Sequence, residues 1–250
     1  AWGESNAIVF ANSVLGARTE RYPDMFDICC AITGRAPAIG LHLTENRAGN
    51  LLLQLKDIPE ALQHSDDFYP VLGQLVGKVS LDKIPVIAGM SFKPNEDQLK
   101  ALGAASASSG GVALFHMVGV TPEALTLESA FQGKQPEETI NVTMDMLREA
   151  RLALTHTDSE KLDMVVLGSP HFSLAEFKQL APLVQGKHKH PDVKFLVTSS
   201  RAMTQLAKQA GFLDTLQSFG AQLTVDTCIL TTPMLPPETK YLMTNSAKFA

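Results

Sequence analysis

From about residue 84 onward, short apolar runs alternate with longer amphipathic stretches, and this rhythm confines the chain to a layered α/β architecture. Six segments read as strands: residues 85–88, 112–115, 139–142, 162–167, 193–197 and 222–225. Several run directly into helix-start chemistry. Thr121-Pro122-Glu123 follows one, Thr143 follows another, and Ser173-Leu-Ala-Glu176, a capping box, follows a third. Strand, short loop and helix N-terminus form the repeated unit, which predicts mainly parallel strands flanked by helices. In such sheets, ligands bind beyond the carboxyl ends of the strands. The tips there carry Gly168-Ser169-Pro170-His171, then Thr198-Ser199-Ser200-Arg201, then Asp226-Thr227-Cys228. If these strands are parallel neighbours, His171, Arg201 and Cys228 face one crevice.

The part before residue 84 is mainly helical. Residues 5–15 are apolar on nearly every side, with Ser5 or Asn6 able to cap the start and Gly16 able to end the segment. A second helix is expected over residues 24–33, with Asp24 and Asp27 in its first turn and Gly34 at its end. The natural divisions are therefore 1–83, 84–157 and 158–250. The chain opens on Ala1 rather than Met, and residues 243–250 stop in an unfinished amphipathic pattern. Both ends read as cuts through a longer protein.

Several classes of function are excluded. The net charge is −5, with no block of like charge to grip phosphates, so nucleic acid is not an expected partner. No apolar run approaches the roughly 20 residues of a membrane span, and no signal-peptide pattern opens the chain. A cytoplasmic protein without a membrane partner is the expectation. The 3 cysteines, Cys29, Cys30 and Cys228, are odd in number and lack C-x-x-C spacing, which suits neither a disulfide framework nor a structural zinc site. No G-x-G-x-x-G occurs. Gly73-Gln-Leu-Val-Gly77-Lys78-Val79 has the wrong glycine spacing for a phosphate loop, and Val where a hydroxyl should hold magnesium.

Other features admit two readings. Residues 106–111 are either a turn that lets helix and sheet pack closely or a ligand cradle. His116 is either a core-edge histidine satisfied locally or a functional group. Cys30 reads as a small core hydrophobe, whereas Cys29 and Cys228 each sit beside polar helix-end or strand-end sequence where a thiolate can face a pocket. Asn6, Asn12, Ser13, Arg18 and Thr19 lie among apolar neighbours, and buried polar groups are costly unless paired. Either a bound ligand or a hydrogen-bonded packing element would supply the pairing.

Taken together, residues 10–19 (Phe-Ala-Asn-Ser-Val-Leu-Gly-Ala-Arg-Thr), 27–29, 33–37, 114–124, 167–171 and 225–228 resemble the aconitase X family. The resemblance implies an aconitase-like fold of layered α/β subdomains. It also implies a hydro-lyase that dehydrates a small hydroxy acid with an iron–sulfur cluster, 2Fe-2S or 4Fe-4S, or a mononuclear iron. Cys29 and Cys228 match the family's cysteine positions, and a third cysteine ligand is expected beyond Ala250. Arg18, Arg35 and Arg201 become candidates for gripping the substrate carboxylate, with Asn12, Ser13, Thr19, His171 and Ser199 as further substrate contacts. A small swivelling domain or subunit that carries the base is the implied partner. Cis-3-hydroxy-L-proline, giving pyrroline-2-carboxylate, is the expected substrate. A phosphorylated mevalonate is the alternative, and a catalytically silent α/β binding module is the alternative from another class.

Overall fold

The computed structural model describes residues 4–23, 25–229 and 232–250, which divide into two compact units, Glu4–Leu154 and Thr155–Ala250. Asp24, expected in the first turn of the second helix, lies outside the described residues. Among the described residues no helix is long and apolar enough to cross a membrane.

The first unit contains α1 (Glu4–Ser13), α2 (Met25–Thr33), β1 (Leu51–Gln54), α3 (Glu60–Gln63), α4 (Phe68–Ser80), β2 (Pro85–Ala88), α5 (Glu96–Ser109), β3 (His116–Met117), α6 (Leu127–Ala130), β4 (Glu138–Asn141) and α7 (Met144–Leu152). Its sheet has the order β3-β2-β1-β4, and every pairing is parallel. The inner strand β1 is absent from the sequence expectation. Leu51, Leu52 and Leu53 are all buried, so the run lacks the alternation that marks a strand with one wet face. The segment 112–115 departs in the opposite way, because it is buried but joins no ladder. Side chains of α1 satisfy its backbone instead: Phe115 N–H donates to Ser13 Oγ at 2.9 Å, and Asn12 Nδ2 donates to the Ala113 carbonyl at 3.0 Å.

Packing of α4 on α5 explains the glycines that failed as a phosphate loop. A Cβ on Gly77 would stand 2.7 Å from the Ser106 carbonyl and 2.9 Å from the Gly110 nitrogen, so the two helix backbones touch where no side chain fits. Residues 106–109 are the last turn of α5 at this contact, which settles their role as packing. Thr121-Pro122-Glu123 does not start a helix. Thr121 Oγ1 accepts from Met117 N–H at 2.9 Å in a turn, and α6 begins later behind the capping box of Thr126 and Ser129. Of the helix ends foreseen, Gly34 is left-handed at φ +63° and closes α2 with Arg35 N–H donating to the Cys30 carbonyl. No residue of α2 is buried, so Cys30 is half-exposed rather than a core hydrophobe.

The second unit contains β5 (Met164–Phe172), α8 (Leu174–Val184), β6 (Lys194–Ser199), α9 (Arg201–Gln209), α10 (Phe212–Phe219), β7 (Gln222–Val225) and β8 (Leu242–Thr244). Its sheet order is β7-β6-β5-β8, again entirely parallel. The capping box at Ser173 and Glu176 forms as expected, with bonds of 3.1 and 2.8 Å. Two features differ from expectation. β5 runs on through Gly168–His171 with a shift in its register against β6, and the stretch that looked unfinished contains the short edge strand β8. Phe172, Phe177, Val197 and Leu216 form the core between this sheet and its helices.

Candidate functional site

In the second unit the tips of three neighbouring strands and the segment after β8 form a small, half-open pocket, lined by Ser169, His171, Thr198, Thr227, Cys228 and Lys248 among others. Its closed part has room for about one water, so a larger ligand would extend into the open mouth. The strand irregularity makes this pocket. Gly168, at φ +91°, lets β5 approach β6 so closely that a Cβ would collide with the Thr198 carbonyl. Thr198 Oγ1 donates to the Gly168 carbonyl, and Ser246 Oγ donates to the Ser169 carbonyl, tying the bulge to strands on both sides.

His171 is buried, and its Nε2 lies 2.6 Å from the Thr227 carbonyl oxygen. A carbonyl only accepts, so Nε2 carries the proton and the ring is fixed as one tautomer. Burial holds this imidazole below its ordinary value, opposed by the Thr227 carbonyl and the Asp226 carboxylate. Lys248 is half-buried. Burial pushes its ammonium below the usual lysine value, and the nearby Cys228 sulfur opposes that push. Cys228 is itself half-exposed, as a ligand-accessible sulfur must be.

Two other expected contacts of this unit stand beside the pocket and are engaged elsewhere. Ser199 is fully buried and donates its hydroxyl to the Phe172 carbonyl at 2.7 Å. Arg201 lies 3.1 Å from Asp226 through Nε, while its backbone N–H donates to the same carboxylate at 2.9 Å. These two contacts hold Asp226 below the usual carboxylate range, the backbone bond being the larger cause. They fasten the tip of β7 to the start of α9.

In the first unit the expected residues meet around a buried arginine. Asn12 Oδ1 accepts from Thr19 N–H at 3.0 Å and from Arg47 Nη1 at 3.1 Å, while Nδ2 donates to the Thr19 and Ala113 carbonyls. Arg47 is fully buried and pairs with the Glu123 carboxylate, its Nε donating at 2.9 Å. His116 packs on this network, buried, with Nε2 donating at 2.7 Å to the Arg47 carbonyl. Arg18 is exposed and donates to the His42 carbonyl at 2.9 Å, and Arg35 is exposed beyond α2. Asn6 is fully buried with both amide atoms unpartnered.

Cys29 is exposed on α2 and Cys228 lines the second unit's pocket. Thiolates are the ligands that iron–sulfur centres prefer, so the donor chemistry fits iron. Among the described residues no group of three or more His, Cys, Asp or Glu gathers, so further ligands are needed to complete a set. Sequence reasoning missed Lys248, Arg47 and Glu123, and it had Thr227 only as part of a strand tip. Glu123 carried a signal, but that signal pointed to a helix start.

The family described as aconitase X matches in three parts: its first domain over residues 1–45, its second over 49–152 and its third over 162–250. The whole chain is 49% identical to a cis-3-hydroxy-L-proline dehydratase of Pseudomonas aeruginosa, covering 43% of it. It is 44% identical to one of Hypocrea jecorina, covering 42%. It is also 35% identical to the phosphomevalonate dehydratase large subunit of Methanocaldococcus jannaschii, covering 61%. The crystal structure of Thermococcus kodakaraensis aconitase X in its holo-form superposes at a TM-score of 0.85 with 33% identity, over 98% of this chain and 60% of that one. The chain thus spans less than half the length of the two hydroxyproline dehydratases.

Proposed function

This chain belongs to the aconitase X family, and on that footing we propose that it forms part of the catalytic region of a cis-3-hydroxy-L-proline dehydratase. The observation that carries the substrate is the identity across the full chain, 49% and 44% to two dehydratases of that specificity. Phosphomevalonate dehydratase large subunits stand lower, at 35% and 38% for two of them, and supply the second reading.

The reaction removes the proton from the carbon beside the carboxylate and the hydroxyl from the next carbon, releasing water and an enamine that tautomerises to the cyclic imine. Cys29 and Cys228 would hold iron, with the remaining ligands supplied from outside the described residues. When bound, iron supplies an electrophile for the departing hydroxyl. The protein's own contribution in the second unit is to position and to desolvate. The Gly168–His171 bulge shapes the cavity, and Thr227 fixes His171 in one tautomer, its Nε2 proton held on the Thr227 carbonyl. The proton-abstracting base is assigned to a small swivelling domain or subunit of the kind that the family resemblance implies.

The test is turnover of cis-3-hydroxy-L-proline by the full-length protein, purified anaerobically with its iron measured, following the cyclic imine. Imine formation is the expected result. Iron-loaded protein that dehydrates phosphomevalonate instead would establish the second reading. Protein that folds normally, binds no iron and turns over neither substrate would be a silent binding module.

A further inference from the structure

We propose that Lys248 is the cation that anchors the carboxylate of the substrate in the second unit's pocket. The inference deepens the dehydratase reading and rests on it for the identity of the acid.

Lys248 is the one Lys or Arg among the residues lining that pocket. Arg201, the cation that sequence reasoning favoured there, is engaged with Asp226 and lies outside the lining. A lysine drawn out of water is normally paired with a carboxylate. No ion pair of Lys248 with an acidic side chain occurs among the described residues, and the negative group that acts on it is the Cys228 sulfur. Lys248 is half-buried and lines this small, half-open pocket, whose mouth a ligand carboxylate can enter. With the Cys228 sulfur assigned to iron, a ligand carboxylate would supply the counter-charge that no acidic side chain provides. Thr198 and Thr227 line the same space. An ammonium is a compact point charge with three donors, which suits a carboxylate on a small ring that must also be reached from other sides.

The experiment uses the full-length, iron-loaded protein and two non-reacting probes, pyrrole-2-carboxylate and its neutral counterpart pyrrole-2-carboxamide, measured by titration calorimetry. The wild type should prefer the carboxylate, and Lys248→Met should erase that preference by weakening carboxylate binding about 10- to 100-fold. Carboxamide binding and iron content should not change, which shows that the variant is folded and loaded. In turnover, KM for hydroxyproline should rise by a similar factor while kcat stays within about threefold, and Lys248→Arg should recover most of the loss. A carboxylate preference that survives Lys248→Met would overturn the proposal. So would a loss of iron in both variants, which would make Lys248 a companion of the Cys228 sulfur rather than of the substrate. If the wild type binds the carboxylate through Lys248 yet dehydrates nothing, the anchor stands and the dehydratase reading fails. If hydroxyproline turns over with an unchanged KM in Lys248→Met, the reverse holds.

Discussion

Arg47 is the most consequential side chain of the first unit. It is buried completely, and its guanidinium joins the Glu123 carboxylate, the Asn12 side chain and the Leu41 and Asn12 carbonyls. Arg47→Met takes a donor away from the carboxylate and from three other acceptors, so it should cost about 3–5 kcal/mol of stability, read from the urea midpoint. A loss under about 1 kcal/mol would show that water takes over those bonds. His116, packed on the same network, gives a pH signature. Burial holds its imidazole below the ordinary value, against the opposing Arg47 carbonyl and Glu123 carboxylate. The unfolded chain therefore takes up the proton first as pH falls through about 6.5. Stability is present above that pH and is lost as pH falls toward the folded value. Unfolding followed from pH 7 to pH 5 should show this slope, and His116→Gln, which can still donate to the carbonyl, should flatten it. A slope that persists in His116→Gln would assign the effect to other groups. Asn12 and Ser13 were legible as polar residues in need of partners. Arg47 was not, because its counter-charge lies 76 residues away and no local pattern announces a pair so remote.

At the level of elements, most strands of the expected rhythm were readable, whereas the segment 112–115 joins no ladder although helix-start residues follow it. β7 and β2 lie where the alternation placed them. β1 was hidden because a strand buried on both faces has no period, and β8 because three residues carry none. The α4–α5 contact shows the same limit. Glycines four apart are one face of a helix, yet in sequence they resemble a loop until the partner helix is known. Gly77→Ala should raise intrinsic helix propensity by about 1 kcal/mol and nevertheless destabilise the protein by about 1–3 kcal/mol. The Ser109 hydroxyl that lies nearest can rotate away, but the Ser106 carbonyl and the Gly110 nitrogen are backbone and cannot turn aside. A rise in the melting temperature would mean that the helices separate without penalty.

The chain as a whole consists of two units, each with its own parallel sheet and core. Residues 155–161 join them without regular structure, and Arg151 and Lys161 flanking this stretch are exposed. Limited trypsin digestion should therefore cut first near 151–161 and leave two resistant fragments, identified by mass. Early cleavage inside β1 or β6 would contradict the division. The rhythm of strands and helices made the α/β class legible from the start, while the pocket's make-up was legible only at its strand tips. Its cation lies beyond β8, a strand that inserts beside β5 although some seventy residues separate them in the chain. That order of assembly has a consequence in time. A ribosome adding about 5–20 residues per second needs about 4–16 s to pass from the Gly168 bulge to Lys248. Through that interval the β5 edge beside the nascent bulge stands without β8, exposed to mispairing until that strand arrives.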